Sequence, residues 1–336
     1  MNRLKLTAWN VEHFRRVFEG AATTAKARRR AAIVREIRDL APHVLCVLEG
    51  PRAVAGLKEF VAHDLEDDYV VVEAPDGVYA TRGEQWIWFL VHRSLQDAVA
   101  LLPISTWQQF AGQRWTVHYW GNQQAEQHSH YRHPQTLVLT WGGQRVEFIG
   151  LHLKSKFINR GRQMWEAGGA EQEAFVAEAI KARIKLATEA TNVRRYLDAK
   201  FGQVEKPAII VLGDLNDGPG KEYFEDQYLF FDLVSTLQGE VFFARKFLGH
   251  ALFDWPEHLR WSVRFDDFVE VVTDRPILLD HIMFTQGLAD GSLPVSVVAQ
   301  SGRVEHEIHA LINAPLPATS HTSDHVPVSV ELVRSE

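Results

Sequence analysis

Ile209-Ile210-Val211-Leu212-Gly213-Asp214-Leu215-Asn216-Asp217 is the stretch on which the reading of this chain turns. Four branched apolar residues in a row mark a strand buried on both faces. The run then ends in Gly-Asp-x-Asn, polar groups that no core would select. A lone strand-end Asp is usually a turn former. Here the same ending recurs along the chain. Ala8-Trp9-Asn10 ends in Asn10, with Glu12 two residues on, and Val47-Leu48-Glu49 ends in Glu49. Phe148-Ile149-Gly150-Leu151-His152 ends in His152, Ile277-Leu278-Leu279-Asp280 carries Asp280 into a strand, and Ser323-Asp324-His325 precedes the last apolar run.

Between these strands lie helical patterns. Ala31, Ile33, Val34, Ile37 and Leu40 predict a helix over Lys26–Leu40, closed by Pro42, and Pro51–His63 predicts a second. Gly142-Gly143 between Thr136–Trp141 and Arg145–His152 signals a hairpin. Gln163–Lys200 reads as one long helical region, and Pro276–Phe284 as one strand. Hairpins argue against a purely parallel sheet and interleaved helices against an all-β sandwich, so the expectation is α/β with mixed sheets. No linker or repeat divides the chain, so a single domain spanning 1–336 is expected, with insertions near 105–133, 157–200 and 240–275.

The 336 residues are 46% apolar and 24% charged, which excludes disorder and fibrous repeats. Cys46 is the only cysteine, so an intrachain disulfide and a cysteine zinc cluster are excluded, and its apolar flanks predict a buried small hydrophobe. No run reaches the length of a membrane span and no signal peptide is evident, which points to a cytoplasmic protein. The net charge of −7 argues against coating nucleic acid by bulk charge.

Asn, Asp, Glu and His at six strand ends suit one chemistry. Magnesium takes oxygen ligands, commonly one or two carboxylates together with water and phosphate oxygens. Phosphoryl transfer needs charge neutralised on the non-bridging oxygens and a nucleophile held in line. An Asp–His pair favours the imidazolium.

These segments, taken in order from Trp9-Asn10-Val11-Glu12 through Leu48-Glu49, Gly150-Leu151-His152-Leu153-Lys154-Ser155-Lys156, Gly213-Asp214-Leu215-Asn216-Asp217 and Leu279-Asp280-His281-Ile282 to Ser323-Asp324-His325-Val326-Pro327-Val328, resemble the endonuclease/exonuclease/phosphatase superfamily. The resemblance implies the deoxyribonuclease I-like four-layer sandwich: two mixed, mainly antiparallel sheets packed together, with helices outside. It implies a divalent metal, Mg²⁺ or alternatively Mn²⁺, held by Glu49 and Asn10, with Glu12 and Asp324 nearby. Asp214 would position and deprotonate the attacking water and Asn216 would orient Asp214 or bind the phosphate. His152 would donate to a phosphate oxygen, and His325, braced by Asp280, would contact the scissile phosphate as a fixed cation. His281 stands where the family often carries an aromatic and reads as a size substitute.

The flanks bear on the substrate. Lys154 and Lys156 follow His152, and Arg132 opens the preceding hairpin, as in similar bacterial non-specific nucleases. Residues 151–200 carry ten Lys/Arg against six Asp/Glu inside an acidic chain. That local excess suggests a polyanion groove, with Lys154, Lys156 and Arg132 binding substrate, although helical charge pairing explains much of it equally well. Trp107, Trp115, Tyr119 and Trp120 serve either as base-stacking platforms or as a satellite core. Arg28-Arg29-Arg30 reads as helix surface. The expected activity is hydrolysis of DNA or RNA phosphodiesters. The alternative is a phosphatase or phosphodiesterase on inositol phosphate, phospholipid or nucleotide substrates.

Overall fold

A computed structural model describes residues 2–335 except 22, 113, 119–124, 230 and 231. Two large sheets face each other. The first runs in the order Val295–Val297, Val328–Arg334, Arg3–Asn10, Val44–Gly50, Trp86–His92, Tyr69–Val71, with Arg303–Val304 also paired to Val328–Arg334. The second runs Leu248–His250, Asp280–Thr285, Ile209–Asp214, Gln144–His152, Gln135–Trp141, Val99–Leu101. Each contains one parallel pair, Arg3–Asn10 with Val44–Gly50 and Ile209–Asp214 with Gln144–His152, and the remaining pairs are antiparallel.

Period-2 alternation builds the layers. Leu4, Leu6 and Ala8 of the first sheet meet Phe148, Ile210, Leu212 and Ile282 of the second in one core. The odd-numbered Ile149, Leu151, Ile209, Val211 and Met283 face the other way, onto Leu186, Ala190, Val193 and Tyr196 of helix Gly169–Gln203. Ile33 and Ile37 of helix Thr24–Leu40 cover the first sheet. The result is helix, sheet, sheet, helix. The sheets approach closely at Gly150, where a Cβ would come within 2.9 Å of Cys46 Sγ, so Cys46 is the buried hydrophobe expected.

Several boundaries differ from the sequence expectation. The long helical region breaks at Gly168, whose φ of 70° is open to glycine, into Gly161–Ala167 and Gly169–Gln203. Pro276–Phe284 is two strands rather than one. Val272–Ile277 pairs with Val263–Asp267 in a separate hairpin, and the chain re-enters the large sheet at Asp280. Ser262 causes the break, because its Oγ accepts from the backbone N–H of both Leu279 (3.0 Å) and Asp280 (3.1 Å). The 240–275 segment also gives the edge strand Leu248–His250 to the second sheet.

Candidate active site

Strand register assembles the polar ends. Asp214 pairs with His152 on the parallel side and with Asp280 on the antiparallel side, so the three stand in one row across the second sheet. They share the parity of Ile210, Leu212 and Ile282 and therefore end the inner, sheet-facing side. Asn10 ends the matching side of the first sheet. Gly213 makes the bend before Asp214, with a φ of 129° at which a Cβ would lie 2.1 Å from the Leu151 carbonyl oxygen.

Asp214 is buried and held from two directions. Asn10 Nδ2 donates to Oδ2 at 3.0 Å, and the Asn216 N–H donates to Oδ1 at 2.7 Å. His152 Nε2 lies 3.5 Å from the same Oδ2. Burial, with the nearby Asp280 charge, outweighs His325 and these hydrogen bonds and pushes the Asp214 carboxyl up to about 7. His325 Nδ1 donates to Asp280 Oδ2 at 2.7 Å. Burial alone would lower the ring's pKa, but Asp280, Asp214 and Asp324 together push it up to about 10. An imidazolium donates from both nitrogens, so the 3.5 Å approach of Asn10 Nδ2 to Nε2 is contact only. The Nε2–H is thereby left for an acceptor. Burial and the charges of Arg132 and His325 hold His152 well below its usual pKa, hence neutral.

Glu49 lies one residue beyond Leu48, the parallel partner of Asn10. It sits at a register shift with φ of 58°, and the His13 N–H donates to its Oε2 at 2.7 Å. Left-handed backbone at a non-glycine strand residue costs about 1–3 kcal/mol and concentrates at functional sites. Asn216 shares it, with φ of 54°. Ser323, which sequence reading passed over, is the hub of the adjoining loops. Its Oγ donates to the Asn10 carbonyl (2.6 Å) and accepts from the N–H groups of Glu12 (3.2 Å) and His325 (3.0 Å). Arg29, expected on the helix surface, is instead half-buried. Its guanidinium bonds the carbonyls of Thr322 and Glu12, clamping the loops that carry Glu12 and Asp324. Only its tertiary neighbours reveal this. Asp324 is 58% exposed at the rim, with Oδ1 4.0 Å from His325 Nε2.

The residues present fit a hard cation. Asn10 Oδ1 is buried with no hydrogen-bond partner, a deficit of about 1–3 kcal/mol unless something ligates it. The oxygens of Asn10 and Glu49, with Glu12 and Asp324 at the rim, are the donor type magnesium takes. Asp217, Glu222 and Glu225 form the one tight acidic trio found among the described residues, but their charge is already met by Lys156 and Arg183.

The basic flank is largely consumed inside the protein. Lys156 Nζ bonds Asp217 (2.6 Å) and Glu222 (2.5 Å), so its charge goes to an internal ion cluster and not, as expected, to a substrate. Arg132 likewise braces the chain, donating to the Leu153 carbonyl (2.9 Å) and to Gln85 Oε1 (2.6 Å). Lys154 bonds the Ser155 carbonyl at 2.5 Å and is the half-buried lysine nearest the expected role. Arg194 pairs with Asp198, and Lys200 with Glu147. Trp107 is core, stacked on Tyr196 at 4.1 Å. Tyr119 and Trp120 lie outside the described residues, as does the side chain of Trp115. His281 is structural: its ring joins His250 (3.0 Å) to the Asp217 carbonyl (2.8 Å).

The architecture is the deoxyribonuclease I-like fold. Among solved structures, the chain is similar to truncated Caenorhabditis elegans TDP2, with a TM-score of 0.53 and 13% identity over 99% of this chain and 98% of that one. It is similar to Danio rerio TDP2 complexed with single strand DNA product, with a TM-score of 0.51 and 15% identity over 98% of both chains. No family model and no curated protein matches the sequence. Among the described residues no helix is long and apolar enough to cross a membrane.

Proposed function

We propose that this protein is a divalent-metal-dependent phosphodiesterase. The observation that carries the reading is Asp214, fixed through both oxygens by Asn10 and Asn216 between neutral His152 and the Asp280-bound cation of His325. A carboxylate with a pKa near 7 suits a general base at neutral pH. In the proposed step, water held by Asp214 attacks phosphorus in line with the ester oxygen. The water oxygen bonds phosphorus as the P–O ester bond breaks. The water proton passes to Asp214, and the leaving oxygen takes a proton from solvent. His325 Nε2–H and His152 donate to the non-bridging oxygens. Glu49 and Asn10, with Glu12 and Asp324, would hold a Mg²⁺ or Mn²⁺ ion, which supplies charge neutralisation on the phosphate.

The finer reading is a nuclease acting on DNA or RNA, supported by the ordered motif set and by the fold shared with a TDP2 solved with single-stranded DNA. A second reading, a smaller or lipid-linked phosphodiester, is favoured by the self-neutralised basic flank. The test is hydrolysis of bis(p-nitrophenyl) phosphate and nicking of supercoiled plasmid, each with Mg²⁺, with chelator, and with Asp214→Ala. Metal-dependent turnover of either substrate, lost in the variant, is expected. Activity that survives Asp214→Ala overturns the assignment.

A further inference from the structure

A cavity of about 640 Å³ opens beside His325 and Asn216, running between the loop and helix after His152 and the hairpin Val263–Asp267/Val272–Ile277. Much of its wall is hydrocarbon, from Ile158, Phe175, Phe224, Val263, Phe268 and Ile277, with charged and polar residues between them. Phe175 is packed against Phe224 at 5.8 Å and against Phe268 at 5.6 Å between ring centroids, which makes the lining continuous from the helix to the hairpin.

Several polar side chains on this lining are already paired, while Arg162 and Asp266 stand half-exposed, 3.9 Å from one another. Lys156 and Arg183 are bonded to Glu222, Asp267 to Arg275, and Gln163 to Arg160. A base or sugar placed here would lose water from its polar edges without matching partners, at a cost of about 1–3 kcal/mol for each group. An apolar group incurs no such cost and releases water from its own surface. His325, proposed to contact the scissile phosphate, also lines this cavity.

Resting on the phosphodiesterase reading, we infer that this cavity binds an apolar hydrocarbon group esterified to the phosphate undergoing hydrolysis, and so sets the substrate class. Burial of a methylene contributes a factor of roughly three to four. Lengthening an ester chain should therefore raise kcat/KM steadily until the cavity is filled.

The test uses p-nitrophenyl alkyl phosphates with methyl, butyl and hexyl chains, Mg²⁺, and the full chain. From methyl to hexyl, kcat/KM is expected to rise at least about thirtyfold. In Ile158→Trp, which narrows the cavity from its loop side, the hexyl-to-methyl ratio should fall. Binding of hexyl phosphate against methyl phosphate, followed by calorimetry without turnover, should show the same ratio and the same loss. Hydrolysis with chain-independent kcat/KM overturns this inference and leaves the phosphodiesterase reading standing. Absence of any ester hydrolysis, with folding confirmed by circular dichroism, overturns that reading instead. If Ile158→Trp fails to fold, Phe268→Ala is the second variant: loss of the ring from the cavity wall should lower the hexyl-to-methyl ratio, and an unchanged ratio counts against the inference.

Discussion

His325 Nδ1 and Asp280 Oδ2 lie 2.7 Å apart across 45 residues of sequence, one on the loop before the last strand and the other at the start of a strand in the opposite sheet. The bond ties the two sheets together at the site and fixes which ring nitrogen faces outward. Asp280→Asn keeps the shape and removes the charge. The variant should lose roughly 10²–10³ in kcat, with KM changed far less. The His325 ring, protonated to about pH 10 in the parent, should titrate at lower pH in the variant. Proton NMR of the ring reads this directly, and an unmoved titration would rule out Asp280 as the source of the cation.

Glu49 combines a carboxylate with left-handed backbone, φ 58°. Glu49→Gln should weaken Mg²⁺ binding by at least about 100-fold, since it removes the best-placed carboxylate of the proposed set. Calorimetric titration with Mg²⁺ or Mn²⁺ checks it, and unchanged affinity would place the ion elsewhere. Glu49→Gly should be more stable than Glu49→Ala by about 1 kcal/mol, because glycine adopts positive φ without a Cβ penalty. Urea unfolding of the two variants provides that comparison.

Lys156 separates two roles by the kind of damage its loss does. Its side chain is 14% exposed, and its ammonium lies among Asp217, Glu222 and Glu225, which together outweigh the burial that would lower its pKa and raise it instead. Lys156→Met leaves three carboxylates facing Arg183 alone and should destabilise the fold by about 3–5 kcal/mol. A substrate-binding lysine would instead raise KM and leave the unfolding midpoint in place.

His152 and Asp214 were legible in the sequence because strand alternation is local: an apolar run that ends in a polar residue announces both the strand and its mouth, whereas Asp280 opens its strand and its place beside Asp214 comes from the antiparallel register. The pairing of two packed sheets was implied only by the family resemblance, while most strands were legible from the same alternation. The fate of the basic flank was not, because Glu222 and Glu225 meet Lys156 and Arg183 only through tertiary folding. Arg29 was hidden in the same way. It reads as one of three helical arginines, and only the fold brings Thr322 and Glu12 within its reach. The cavity walls come from three segments separated in sequence, so no window of the chain contains them.

His250 and His133 make stability depend on acid. The Leu252 N–H donates to His250 Nδ1 (3.1 Å), so the ring proton sits on Nε2 and is given to His281 Nδ1 (3.0 Å). His281 in turn donates from Nε2 to the Asp217 carbonyl. A second proton on His250 has to enter at Nδ1, against the Leu252 N–H. Burial, with His281 and Arg260 nearby, accordingly pushes His250 down to about 3, and burial with His130 and Arg82 pushes His133 down to about 4. Unfolded histidine titrates near 6.5, so below that value the unfolded chain binds more protons than the folded one. The stabilisation from keeping these rings neutral is complete above about pH 6.5 and is lost as pH falls toward the folded values. Each ring contributes a slope of about 1.4 kcal/mol per pH unit within its window. Asp214, pushed up to about 7, and Asp217, pushed up to about 6, act in the opposite sense over this range, so the comparison with a variant isolates His250: in urea unfolding at intervals between pH 7 and pH 4, His250→Gln should lose less stability with acid than the parent, by a slope of about one proton. An identical slope in the variant would mean that His250 is not kept neutral by the fold.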